Sequence, residues 1–136
     1  MTDDNVAVAT RIYEILAARG VSRDAFREVV DDGLADPDGE VDFRGVYADA
    51  GVIHGFDEFA RYVEAQPWAG TLRFEPEAIE AVDAEHVVVD VRVTASGIGS
   101  GVPVEARAAH VLTVRDGRVV RIQSFLDREA ARAAVS

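Results

Sequence analysis

At 136 residues the chain fits one domain, 1–136, long enough to bury about two-thirds of its unfolded surface. Its net charge of −11 argues against nucleic acid and anionic membranes as partners, and no apolar run approaches the ~20 residues that cross a bilayer. With neither cysteine nor lysine, the chain has no disulfide, thiolate nucleophile, cysteine metal site or lysine Schiff base. No leader-like segment precedes the first predicted helix, so the expected location is the cytoplasm.

Asp3, Asp4 and Asn5 offer N-caps for a first helix, with Val6, Ala9, Tyr13 and Leu16 at helical spacing and Ile12 and Ile15 widening the apolar face. Gly20 is a C-cap candidate. Ser22 is expected to cap a second helix that buries Phe26, Val29, Val30 and Leu34. The segment Ala35-Asp36-Pro37-Asp38-Gly39 reads as a break, followed by a short extended piece from Glu40 to Tyr47. Gly51 to Gly55 reads as a turn-flanked approach to a third helix, capped at Asp57, with Phe59, Tyr62 and Val63 buried and Pro67 ending it. Thr71 to Val82 alternates as a strand with a break at Pro76. Val87 to Thr94 and Val102 to Val114 follow, the latter joined through Arg115-Asp116-Gly117-Arg118 to the last strand. Asp-Gly between alternating apolar runs is a strong hairpin signal. Asp127 is expected to cap a short Ala-rich C-terminal helix.

Alternation assigns faces. Valines at 87, 89, 91 and 93 share one face, opposite Asp90, Arg92 and Thr94. Ala106, Ala108, Leu112 and Val114 share a face with His110, and Val120, Ile122 and Leu126 share one with Ser124. Across the Asp-Gly hairpin the two polar exceptions, His110 and Ser124, are expected at similar depth on the apolar side. The opposite face, with Asp90, Arg92, Arg107, Arg121 and Gln123, suits solvent or a sheet-to-sheet dimer. Gly97, Gly99 and Gly101 lie between two strands and open no helix, so they are not read as a phosphate loop. The acidic run from Asp31 to Asp42 lacks the spacing of a calcium loop. His54, His86 and His110 have no metal-ligand spacing, so no metal and no cofactor is assigned.

Helices first, a strand kinked near Pro76, three long antiparallel strands and the ending RDGRVVRIQSFLDREAARAA resemble the nuclear transport factor 2-like superfamily, most of all its SnoaL-like (polyketide-cyclase-like) and ketosteroid-isomerase-like members. The resemblance implies an α+β cone: a curved antiparallel sheet wrapped around N-terminal helices, with a short C-terminal helix. It implies an apolar pocket at the wide end, and often a dimer through the outer sheet face. Tyr13 sits where the isomerase has its oxyanion tyrosine, and Asp42 about where it has its base. The isomerase's second oxyanion donor falls near Ala109, which cannot donate. A strand histidine of the cyclases matches His110, and their last-strand aspartate falls near Ser124. Neither constellation is complete.

The reading favoured is therefore a domain that binds a small apolar molecule, without cofactor. Phe43, Phe59, Trp68, Ile122, Ser124 and Leu126 are the expected contacts. The alternative is an isomerase or cyclase that moves a proton next to a carbonyl. In it Asp42, its pKa raised by burial, or His110 is the base, and Tyr13 donates to the enolate oxygen. A third reading is a non-catalytic dimeric interaction domain.

Overall fold

Helices α1 (Thr2–Arg19) and α2 (Arg23–Asp31) open the fold of the computed structural model, which describes residues 2–45, 51–65, 71–96 and 103–135. α1 buries Ala9, Ile12, Tyr13, Ile15 and Leu16, then stops at Gly20, whose φ of 77° is accessible to glycine without strain. Asn5 lies inside α1 and does not cap it; its Nδ2 donates to the Ala84 carbonyl at 2.9 Å. Ser22 caps α2, its Oγ accepting from the Ala25 N–H at 3.2 Å. α2 ends at Asp31, so Leu34 is not on the helix.

The segment read as a break is the start of a strand. β1 covers Ala35–Gly45 and absorbs Pro37 in a register shift between Ala35 and Glu40, where a residue without an N–H does no harm. Val52–His54 forms β2, antiparallel to β1. α3 spans Phe56–Glu64, with Gly55 at the N-cap and Asp57 in the first turn, so the helix starts two positions earlier than expected. It buries Phe56, Phe59, Ala60 and Val63, while Tyr62 faces outward.

Four strands follow: β3 (Arg73–Ala81), β4 (His86–Ser96), β5 (Pro103–Arg115) and β6 (Arg118–Phe125). β3 carries the expected irregularity beside Pro76. Asp116 and Gly117 both have positive φ, 54° and 76°, as the mirror-image turn of a two-residue hairpin requires. The strand order is β2-β1-β6-β5-β4-β3. β1 runs parallel to β6, so the sheet is mixed and not antiparallel throughout. Pairing the first strand with the last takes a crossover through almost the whole domain, which no local pattern announces. The glycine-rich connection from Gly97 to Gly101 lies outside the described residues.

The main core lies between the inner sheet face and α1, α2 and α3, and includes Val87, Val89, Val91 and Leu112. A slip between Thr113 and Val114 puts Val119 in this core and leaves Val120 only partly buried, reversing the expected alternation there. A smaller cluster of Val88, Ala109, Val111 and Ala131 forms where α4 (Arg128–Val135) lies on the outer face. Asp127 caps α4, accepting from the Ala130 N–H at 2.8 Å. Arg128 with Asp90 and Arg132 with Glu80 pin the helix down.

Gly39 is a packing necessity. A Cβ there would lie 2.4 Å from Phe56 Cε2 and 3.1 Å from the Asp36 carbonyl oxygen. The Phe56 ring is buried and stacked on Phe26, so it cannot yield freely. Gly39→Ala should cost about 2 kcal/mol in denaturant unfolding, as overpacking does. Gly51→Ala, where a Cβ meets open space, should stay within about 0.5 kcal/mol of the parent.

Candidate functional site

β5 carries one histidine on its core face, and α1 brings one tyrosine to it. Tyr13 Oη and His110 Nδ1 are 2.6 Å apart, and the two residues are 1% and 3% exposed. Phe74 meets the imidazole edge-on, with centroids 5.1 Å apart. Ser124 is the direct cross-strand partner of His110, a pairing set by the slip between Thr113 and Val114; the unshifted turn register would put Gln123 there. These groups line a cavity of about 10 Å³ whose remaining wall is apolar, built from Leu16, Phe26, Val41, Phe59, Phe74 and Ile122. That volume suits about one water molecule.

Burial without a countercharge sets the protonation states. It pushes the Tyr13 phenol well above its ordinary pKa and the His110 imidazole down to about 4. Both groups are therefore neutral near pH 7. The phenol has one proton to give; in the tautomer where Nδ1 accepts it, the imidazole proton lies on Nε2. In that tautomer one nitrogen is occupied by the phenol proton and the other carries its own. With its protons so placed, the pair offers an N–H donor and His110 has no free lone pair to act as a base.

Of the residues singled out from sequence, Tyr13, His110, Phe59, Ile122 and Ser124 come together around this cavity. Leu126 does not: β6 ends at Phe125, and Leu126 is 64% exposed. Trp68 and the side chain of Phe43 lie outside the described residues. Leu16, Phe26, Val41 and Phe74 were not placed at the site by sequence. Phe26 and Leu16 did carry a signal, as apolar residues on amphipathic helix faces, but not one that separates core from cavity.

Asp42 is also elsewhere. Its neighbour Val41 pairs with Ile122 and lines the cavity, so Asp42, paired with Gln123, faces the other side of the sheet. There its carboxylate accepts from Arg44 Nη2 at 2.8 Å and Nε at 3.0 Å, and from Arg121 Nη2 at 3.0 Å. The Arg44 hydrogen bond outweighs burial and holds the Asp42 pKa down to about 2, the opposite of what a carboxylate base needs. Asp42 thus ties β1 to β6. Asp42→Asn should lose about 2 kcal/mol of stability, since charged hydrogen bonds to two guanidinium groups are weakened. A thermal melt checks the loss, and the Tyr13–His110 pair should be unaffected.

Among the described residues no three His, Asp or Glu side chains cluster as metal ligands, and no helix is long and apolar enough to cross a membrane.

The sequence pattern of the SnoaL-like domain matches residues 9–122. No curated protein matches the chain. Similar solved structures include TerC co-crystallised with polyporic acid, 21% identical, with a TM-score of 0.69 over 96% of each chain. Another, from Jannaschia sp., is provisionally described as a SnoaL-like polyketide cyclase; it is 24% identical, with a TM-score of 0.68, covering 98% of this chain and 92% of that one. A nuclear transport factor 2-like protein of unknown function from Burkholderia pseudomallei is 21% identical, with a TM-score of 0.65, covering 97% and 95%. At such identities these likenesses establish the fold and leave the chemistry to the site. The sequence match spans most of the chain, from α1 to β6, and the helices and curved mixed sheet, a fold shared with nuclear transport factor 2-like proteins, agree with it: the chain belongs to the SnoaL-like domain family.

Proposed function

We propose that the protein binds a small, mainly apolar molecule whose carbonyl or hydroxyl oxygen docks at the Tyr13–His110 end of the cavity. The observation that carries this is the buried 2.6 Å contact between Tyr13 and His110 within an otherwise apolar wall. A neutral pair of this kind supplies a directed N–H and a hydroxyl from Ser124 without bringing a charge into the pocket. At about 10 Å³ the cavity must enlarge to take more than water, so side chains of its wall move on binding.

Proton transfer next to a carbonyl, the isomerase or cyclase reading, fits less well, although two proteins of this fold are provisionally described as isomerases. Asp42 is bound to arginines on the opposite face, and Tyr13 engages His110 Nδ1. A dimer through the outer sheet face forms a second part of the proposal. α4 occupies the middle of that face, so contact would fall on the Arg92–Glu75 and Arg107–Glu77 pairs to one side of it.

Native mass spectrometry of the purified protein, followed by organic extraction, tests the binding reading. The expected result is an apolar, oxygen-bearing molecule that co-purifies with the parent protein and is lost from His110→Leu. Spectra that stay at the unliganded mass even with millimolar cyclic ketones added, and show only dimer, would turn the balance to an interaction domain.

A further inference from the structure

A second cavity, of about 160 Å³, lies at the seam of α2 and α3. Its apolar surface comes from Phe26, Val30, Phe56 and Ala60, and its rim from Arg23, Arg27, Asp31 and Asp57. Among the described residues, Phe26 alone lines both this cavity and the Tyr13–His110 cavity. Its ring stacks on Phe56, with centroids 5.9 Å apart and planes 8° apart, and meets Phe59 edge-on at 5.3 Å. Two neighbouring apolar spaces therefore share a single aromatic partition. Rotation about its side-chain torsions moves that partition while leaving the helix backbone in place.

The rim adds a charge preference. Arg23 Nε is buried and has no hydrogen-bond partner among the described residues. The nearest ion pair of Arg23 is with Asp57, at 3.6 Å from Nη2, too long for a hydrogen bond. Asp57 also faces Arg61 at 3.3 Å. A ligand anion can thus take Arg23 while Asp57 keeps Arg61, and the buried N–H gains the partner it lacks. Asp31 and Asp57 balance Arg23 and Arg27, so the rim accommodates one negative charge and disfavours several.

We propose that the two cavities are halves of one site divided by Phe26, and that its ligand is an elongated, mainly apolar molecule with one anionic end at Arg23 and an uncharged, hydrogen-bonding end at Tyr13–His110. This rests on the reading of the Tyr13–His110 cavity as a binding pocket, and adds to it the entry route and the ligand class.

The test uses a fluorescent ketone, dimethylaminonaphthoyl-cyclohexane carboxylic acid, and its methyl ester as matched anionic and neutral probes. The acid should bind the parent protein with one molecule per chain, about tenfold tighter than the ester. Arg23→Gln should abolish that difference and leave the ester unchanged. His110→Leu should weaken both probes alike. Phe26→Ala should raise the affinity for both, with Phe26→Leu as the milder variant should the first melt early.

An acid-to-ester ratio that survives Arg23→Gln overturns the inference while leaving the pocket reading standing, provided ester binding still depends on His110. Acid binding that ignores His110 marks a separate groove and overturns the single-site claim. Failure of the acid to bind either the parent or Phe26→Ala overturns it outright. Indifference of both probes to His110 removes the pocket reading as well.

Discussion

His110→Ala should lower unfolding free energy by about 4 kcal/mol, the largest single-residue effect expected in this chain. Truncating a buried ring leaves a cavity in a core that collapses only partly, which costs about 2–5 kcal/mol for side chains of this size. It also strands the Tyr13 hydroxyl, 1% exposed and deprived of its partner at 2.6 Å, at about 1–3 kcal/mol more. Part of that second cost disappears when the hydroxyl is removed too. The double variant Tyr13→Phe/His110→Ala should therefore be more stable than the sum of the singles by about 1–2 kcal/mol. Denaturant unfolding of the four proteins gives that coupling directly. A coupling near zero would mean that the pair contributes only volume.

Acid should destabilise the protein in two separate steps, and the first belongs to His110. In the folded chain its pKa is about 4, against an ordinary value of 6.5. Between those values the unfolded chain takes up a proton that the folded one refuses. The contribution is thus intact above pH 6.5 and is lost as pH falls toward 4, to a total of about 3 kcal/mol. The cause is burial of the imidazole, with no acidic side chain among the described residues to compensate. Asp42 has its pKa held at about 2 against 3.8, so its share is lost only below pH 3.8. Denaturant unfolding at pH 7 and pH 4.5 should show most of the His110 loss in the parent and none of it in His110→Leu. An equal loss in both proteins would move the acid sensitivity to other groups.

Part of this site was legible in the sequence because strand alternation is local. Alternation puts His110 and Ser124 on the apolar sides of their strands, but the Asp116-Gly117 turn alone would set His110 against Gln123. The slip between Thr113 and Val114 shifts β6 by one residue and brings Ser124 opposite His110, while Val119 joins the core beside Val114. Tyr13 was legible as a core residue, but its partner is 97 positions away, so the contact was not.

Asp42 shows the opposite limit. It stands among acidic residues in the sequence, and nothing local tells that β1 will run parallel to β6 and bring Arg121, 79 positions on, to its carboxylate. Arg44, two residues away, was the available hint, since alternation puts it on the same side. Leu126 was misplaced because alternation was extended past the end of β6 at Phe125. Phe26 belonged to an amphipathic helix and read as ordinary core. Its double role emerges only from the two spaces on either side of its ring.

The most direct test is proton NMR of the protein with a cyclic ketone in deuterated water, reading saturation transfer and deuterium uptake next to the carbonyl in one sample. The geometry of Tyr13 and His110 predicts saturation transfer to the ketone, weakened in His110→Leu, with deuterium uptake no faster than in buffer. Rapid uptake that vanishes in His110→Leu would make His110 a base and contradict the binding account, as would the absence of any saturation transfer.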